Sequence, residues 1–359
     1  MKRILCLIDS LGPGGAQRQM VGLATLLKEK GYDAIVACYH DKLFYIDSLL
    51  SQGVPYVYLK KAHGSTLRLW HVARYIRKIK PDMVISYLET PSICACVARF
   101  FNHKFKLIVS ERNTTQHTGR NEKIRFNLFR LADYVVPNAY AQENYLRTTF
   151  PKLAEKIVTI PNFVDLMYFT PPAQRQRGEK PEIIVVATIF ASKNTIGFVD
   201  AVAKLKEAGK RFHISWYGKD ASHLDYFEQC QQKINKLGVG EYFELKEKTA
   251  NIKDRYQTAD FFCLPSFFEG TPNVICEAMA CGLPVACSDV CDNARYVQNG
   301  RNGCLFNPTD ADSMANAINY LLSLSDEKYL SFCQHSRETA KTMLSEEKFV
   351  QSYIRLIEQ

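Results

Sequence analysis

Short, apolar, β-branched runs alternate along the chain with longer stretches in which apolar positions return about every four residues. In the first half the runs Ile4–Asp9, Ala34–Tyr39, Met83–Tyr87, Leu107–Ser110 and Tyr134–Pro137 predict strands. Between them Gln17–Lys30, Leu67–Lys80 and Gln142–Phe150 predict helices. The scheme repeats in the second half, where Ile183–Thr188, His213–Tyr217, Tyr242–Leu245, Phe261–Pro265 and Pro284–Ser288 read as strands. Strands that alternate with helices imply parallel sheets covered on both faces, so the expected fold is α/β with two doubly wound domains. Pro171, Pro172 and Pro181 bracket the polar run Gln174-Arg175-Gln176-Arg177-Gly178 and mark residues 166–181 as a linker. It separates a domain of residues 1–165 from one of residues 182–345. Such sheets bind ligands at the carboxyl ends of their strands, so two domains facing a cleft would place Gly12 and Glu269 across it.

The chain has 359 residues, 47% hydrophobic and 23% charged, which suits two globular domains and leaves no disordered or repetitive stretch. The first apolar run stops at Asp9 and no stretch reaches the roughly 18 apolar residues of a membrane span. The expectation is a cytoplasmic protein whose membrane contact is peripheral. Twelve cysteines form no C-x2-C pair and have no H-x3-H partner, so they read as reduced thiols filling a core. The net charge of +9 is unevenly spread: residues 1–165 carry +11 and the remainder −2. A basic first domain faces something anionic, either phospholipid headgroups or a phosphate-bearing acceptor. Nucleic acid is the weaker partner, because the basic residues are interspersed with acids and no recognised module is present.

Two segments carry candidate chemistry. Gly12-Pro13-Gly14-Gly15 follows a strand and precedes a helix, so its backbone can approach a phosphate, or it is simply a tight turn. Gln17 stands where a dinucleotide fingerprint needs glycine. In the second half, Phe268-Glu269-Gly270-Thr271-Pro272-Asn273 leads from a strand into a helix that contains Glu277, with Pro272 expected in the first helical turn. A helix start presents unpaired N–H groups and a positive dipole end, so an anion should dock beside Gly270 and Thr271. A capping role is the competing reading of Glu269. Asp310-Ala311-Asp312 has the letters of a metal-binding D-x-D, but its place at a helix start reads as a cap; no metal is expected. Arg120–Arg130 and Leu67–Lys80 are basic amphipathic stretches that fit either an anionic membrane surface or a sheet-covering helix.

The two glutamates and their surroundings resemble the E-x7-E signature of the retaining glycosyltransferases of family 4, which have the GT-B fold. The likeness takes in the Gly12–Ala16 loop, Pro161-Asn162-Phe163-Val164-Asp165, Lys193-Asn194, Ala259-Asp260, Pro265-Ser266, Gly282-Leu283-Pro284-Val285 and Asn299-Gly300-Arg301-Asn302-Gly303. These landmarks fall in order across nearly the whole chain. The resemblance implies a nucleotide-diphosphate sugar as co-substrate, with UDP favoured, and no cofactor. It further implies that Glu277 holds the ribose, Glu269 the transferred sugar and Lys193 the diphosphate, with Gly14, Gly15, Gly270, Thr271, Pro272 and Asn273 completing the donor site. The expected acceptor is a growing, lipid-linked bacterial surface glycan such as an O-antigen or capsule repeat. A final helix at about residues 346–359 would return to the first domain.

Two positions depart from that pattern. Family members commonly carry arginine five residues before the lysine, where this chain has Thr188, and Arg112 or Arg18 of the first domain are the candidates to replace it. Many also place a histidine near the reacting sugar, where this chain reads Glu111-Arg112; His117 lies a few residues on. Arg18, Arg112 and His117 are thereby the acceptor-side candidates. No residue is an obvious covalent nucleophile, which favours same-face attack over double displacement through Glu269. A sugar-nucleotide epimerase of the same fold and a non-catalytic nucleotide-sugar or glycan binding protein are the alternative readings.

Overall fold

The computed structural model describes residues 1–59, 65–102, 104–112, 114–115, 118–219 and 221–359. The chain divides into two compact units, Met1–Asn162 with Glu347–Gln359, and Phe163–Glu346.

The first unit is built on six strands, β1 (Arg3–Leu7), β2 (Asp33–Cys38), β3 (Tyr56–Tyr58), β4 (Met83–Tyr87), β5 (Lys106–Glu111) and β6 (Tyr134–Pro137). They pair in parallel in the order β3-β2-β1-β4-β5-β6. Strands such as Met83–Tyr87 are buried at every position because helices cover both faces, which is why they read as continuous apolar runs. Leu5, Leu7, Val84, Leu107 and Val109 meet Val72, Ile76 and Ala95 of the flanking helices in one core. The final helix, Glu346–Glu358, is fastened to this unit: Tyr353 and Tyr87 share a buried hydroxyl–hydroxyl bond of 2.8 Å, and Lys2 reaches Glu358 at 2.8 Å.

The second unit repeats the plan with β7 (Glu182–Val186), β8 (His213–Lys219), β9 (Phe243–Glu247), β10 (Phe261–Leu264), β11 (Val285–Ser288) and β12 (Gly303–Phe306). All pair in parallel, in the order β12-β11-β10-β7-β8-β9. Trp216 anchors the core between Phe198 and Phe243, at ring separations of 5.9 and 6.1 Å, and its indole N–H donates to the Ala187 carbonyl. Beside it, a Cβ on Gly218 would lie 1.8 Å from the Ala187 oxygen, so only glycine lets the two backbones come this close. In both sheets the strand order reverses beside the first strand, between β1 and β4 and between β7 and β10, and there a doubly wound sheet opens a crevice at its strand ends.

Residues 166–181 pack as part of the second unit rather than as a free connector. Arg175 donates to the carbonyls of Ala259 and Cys281, Arg177 donates to Leu324 and pairs with Asp326, and Arg337 ties in Phe169 and Leu166. The composition that suggested a linker hides two arginines, Arg175 and Arg177, used as internal struts. Strands β3 and β12 escaped the sequence reading because one is three residues long and the other begins with glycine. Among the described residues no helix is long and apolar enough to cross a membrane. All twelve cysteines are free thiols and eleven are buried, leaving Cys291 exposed.

Candidate functional site

The second unit gathers its candidate residues at the β7/β10 reversal. Beyond β7 the chain makes a tight 3-10 turn, Ala191–Lys193, and enters the helix Thr195–Glu207 through Asn194, a left-handed residue at φ 59°. Asn194 is buried and its side-chain amide donates to the Pro308 carbonyl at 2.6 Å, which fixes the turn. Beyond β10 the loop carrying Glu269 is tied to that turn by the Phe267 N–H, which donates to the Ser192 carbonyl at 3.0 Å. Lys193 and Glu269 meet as a result: Lys193 Nζ lies 2.6 Å from Glu269 Oε1, with both side chains largely but not fully withdrawn from solvent.

The helix Asn273–Ala280 begins after Pro272, which is the N-cap in an extended conformation and not part of the first helical turn. Pro272 itself supplies no side-chain cap, and no acidic residue occupies the first turn of this helix. Glu269 directs one carboxylate oxygen to Lys193, and the positive end of the helix dipole lies beside this pair, where it attracts an anion. Thr271 is buried, with its hydroxyl 3.5 Å from the Tyr296 hydroxyl. Glu277 is the fifth helical residue, nearer the start than the two turns expected. It is 3% exposed and accepts a 3.0 Å hydrogen bond from Tyr256 OH, which excludes a solvated helix face.

Three residues at this site went unrecognised in the sequence. Tyr256 orients Glu277 from the short helix Ile252–Thr258, whose period is too brief to stand out. Thr195, which opens the helix after Lys193, and Ser266, just before the loop of Glu269, have fully buried hydroxyls without a hydrogen-bond partner among the described residues. Orphaned buried hydroxyls are uncommon and fit a place where a polar ligand binds. Thr188, half-buried, stands at the position of the expected arginine. Asp310 accepts from the N–H groups of Asp312 and Ser313 as the cap of the helix Ala311–Leu322, while Asp312 pairs with Lys204 at 2.8 Å. Among the described residues no group of three or more His, Cys, Asp or Glu side chains is placed to hold a metal ion.

In the first unit, Gly14 is the N-cap of the helix Gly15–Glu29, which again has no side-chain cap and no acid in its first turn. A Cβ on Gly14 would sit 2.2 Å from Gln17 Oε1, so the glycine keeps the turn compact. Arg18 is half-buried in that first turn. Arg112 is not a surface arginine: it is 8% exposed, stacked over the Tyr87 ring at 4.3 Å, and donates to Ser110 Oγ and Asn162 Oδ1. His117 lies outside the described residues.

The two basic stretches differ in placement. In the helix Arg120–Leu128, Arg125 turns inward to pair with Glu89 at 3.1 Å and to approach Glu111 at 3.6 Å, and Phe126 is fully buried. The helix Ser65–Ile79 instead buries Val72 and Ile76 and exposes Leu67, Trp70, Arg74, Arg77 and Lys78, with Arg74 over the Trp70 ring at 5.1 Å.

Comparison with known proteins follows the same division. Residues 13–168 match the family model described as Glycosyltransferase Family 4, and residues 180–324 match that described as Glycosyl transferases group 1. Among curated relatives, the chain is 24% identical over 346 residues to the GalNAc-α-(1→4)-GalNAc-α-(1→3)-diNAcBac-PP-undecaprenol α-1,4-N-acetyl-D-galactosaminyltransferase of Campylobacter jejuni, covering 92% of this chain and 90% of the relative. It is 27% identical over 310 residues to the putative glycosyltransferase EpsF of Bacillus subtilis, covering 80% and 79%. Among solved structures, Anabaena HepE in complex with UDP and glucose superposes with a TM-score of 0.87 at 20% identity, over the full length of both chains.

Proposed function

The chain belongs to the family 4 glycosyltransferases and has their GT-B fold, and we propose that it is a retaining, metal-independent enzyme that uses a nucleotide-diphosphate sugar, with UDP as the favoured nucleotide. The acceptor is a hydroxyl of a lipid-linked bacterial surface glycan, at the cytoplasmic face of the membrane. The Campylobacter relative is named for an undecaprenol-diphosphate acceptor and the HepE structure contains UDP, which supports both choices.

The observation that carries this reading is the Lys193–Glu269 pair beside the start of the helix Asn273–Ala280, with Glu277 buried and oriented behind it. A carboxylate paired with a lysine keeps lone pairs that can accept hydrogen bonds from vicinal sugar hydroxyls. The ammonium and the helix dipole offset the charge that develops on a departing nucleoside diphosphate, and Thr271 and Asn273 sit where that diphosphate would rest. Glu277, one helical turn further in, accepts ribose hydroxyls on this reading, which its burial and orientation by Tyr256 support. Engaged with Lys193, Glu269 serves better as a hydroxyl clamp than as a nucleophile, which favours attack from the face the nucleotide leaves. Arg112 supports the first unit's strand ends through Tyr87 and Asn162, so Lys193 and the helix start carry the diphosphate in place of the missing arginine. The exposed Leu67–Trp70–Arg74 face supplies the basic, aromatic surface that a peripheral membrane contact requires.

The test is transfer itself: UDP-sugars are incubated in EDTA with polyprenyl-diphosphate-linked glycans and the anomeric configuration of the new linkage is read by NMR. Retention of the donor configuration is expected. Inversion, hydrolysis alone, or a strict requirement for magnesium would refute the reading.

A further inference from the structure

A polar cavity in the same unit is lined by none of the donor residues, although Arg255 and Thr258 share the helix Ile252–Thr258 with Tyr256. It has a volume of about 260 Å³ and is lined by Glu182, His213, Ser215, Tyr217, Lys246 and Arg255, together with Thr258. Its floor is the face of β7, β8 and β9, where Glu182 pairs with His213 and Tyr217 with Lys246 across adjacent strands, and its wall is the helix Ile252–Thr258. Glu182 is the first residue of β7, whereas Lys193 follows that strand's other end. Five residues of extended chain, roughly 3.3 Å each, separate the two levels of the sheet.

The charge balance of this cavity is specific. Both oxygens of Glu182 are already engaged, Oε2 by His213 Nδ1 at 2.7 Å and Oε1 by the buried Ser215 hydroxyl. The guanidinium of Arg255 makes no ion pair among the described residues, and the Tyr217 hydroxyl has no hydrogen-bond partner there. Lys246 Nζ lies 5.6 Å from the centre of the Tyr217 ring and 3.0 Å from Glu244, whose side chain is more than half exposed. What remains for a ligand is a guanidinium, an ammonium and a phenol, all donors, around a carboxylate whose charge is already shared.

We propose that this cavity is a binding site for a small phosphate monoester, of the size of a sugar phosphate, separate from the nucleotide site. Arg255 and Lys246 grip the phosphate oxygens, the guanidinium in the two-pronged geometry it offers to phosphate. Tyr217 supplies a hydroxyl and an apolar ring edge to the sugar, and the spare lone pairs of Glu182 accept from its hydroxyls. The proposal does not depend on the identity of the transferred sugar.

Calorimetric titration with glucose 1-phosphate in saturating UDP, on the wild type, Arg255→Ala, Lys246→Ala and Glu277→Ala, tests it. Binding should persist in the presence of UDP and in Glu277→Ala, and weaken by more than about tenfold in Arg255→Ala and Lys246→Ala. Inorganic phosphate should bind more weakly than the sugar phosphate. Sedimentation with phosphatidylcholine vesicles containing phosphatidic acid separates the other source of the same chemistry: Arg255-dependent sedimentation assigns the site to a lipid headgroup. Displacement of glucose 1-phosphate by UDP, equal binding to Arg255→Ala, or no heat at millimolar ligand would overturn the proposal, and none of these results bears on the donor site read through Glu277.

Discussion

Lys193 and Glu269 are 76 residues apart in the chain, yet the ammonium and the carboxylate meet at 2.6 Å. The contact joins the loops that follow β7 and β10, neighbouring strands on either side of the strand-order reversal. It places a cation and an anion side by side where a doubly wound sheet binds its ligand.

The two partners should separate kinetically. Lys193→Ala removes a diphosphate contact and leaves Glu269 unpaired, so UDP affinity should fall by about tenfold or more. Glu269→Ala leaves the diphosphate contact in place, so kcat/KM should drop by about a hundredfold or more with UDP affinity changed only a few-fold. Calorimetry and steady-state kinetics on the two variants check this; equal loss of UDP binding in both would contradict the assigned roles.

Tyr256→Phe removes one hydroxyl, and with it the 3.0 Å bond to the buried carboxylate of Glu277. A buried acceptor deprived of a donor costs about 1–3 kcal/mol. Thermal unfolding should show a lowered midpoint, and UDP should bind more weakly because the carboxylate loses one of the bonds that aim it. Unchanged affinity would mean that Glu277 is held without Tyr256.

Asp310→Ala should lower stability by about 1 kcal/mol, the usual worth of a helix cap, while leaving kcat unchanged in EDTA or magnesium. A variant that loses activity but keeps its unfolding midpoint would return Asp310-Ala311-Asp312 to the metal-binding reading.

How much of this was legible in the sequence depended on how local each cause is. Met83–Tyr87 and Phe261–Leu264 are buried on both faces, and their apolar runs, broken only by Ser86, announced them as central strands. Glu269 and Glu277 were found from their setting between a strand and a proline-led helix. Their partners were not, because Tyr256 and Glu277 are 21 residues apart and joined only by the fold. The surroundings of Arg112 were hidden for the same reason: nothing near it in sequence shows that Tyr87 and Asn162 enclose it. Charge periodicity alone could not separate Arg120–Arg130, whose Arg125 is internal, from the exposed face at Trp70.

That exposed face makes its own prediction. Trp70→Ala combined with Arg74→Glu should reduce sedimentation with vesicles rich in phosphatidylglycerol by several-fold, more so at low salt, since each basic residue near an anionic surface contributes about 1 kcal/mol. Transfer to a water-soluble acceptor should be unaffected.

Thiol chemistry offers a check on the second unit. Eleven cysteines are buried, and burial pushes thiols such as Cys6 and Cys281 up to about 12. Cys291 is exposed beside the main chain of Glu269, and partial burial raises its thiol as well. Native protein should therefore react with Ellman's reagent at one thiol, faster as pH rises and the thiolate forms. Cys291→Ser should abolish the reaction, and bound UDP-sugar should slow it.

The central claim is that the end of β10 and the helix after it form a nucleotide site, and calorimetric titration of UDP, GDP, dTDP and ADP in EDTA tests it most directly, on the wild type and on Glu277→Ala. One nucleoside diphosphate, UDP on this account, should bind the wild type selectively, with affinity lost by about tenfold or more in the variant. Equal binding to the two proteins, or no binding with or without magnesium, would contradict it.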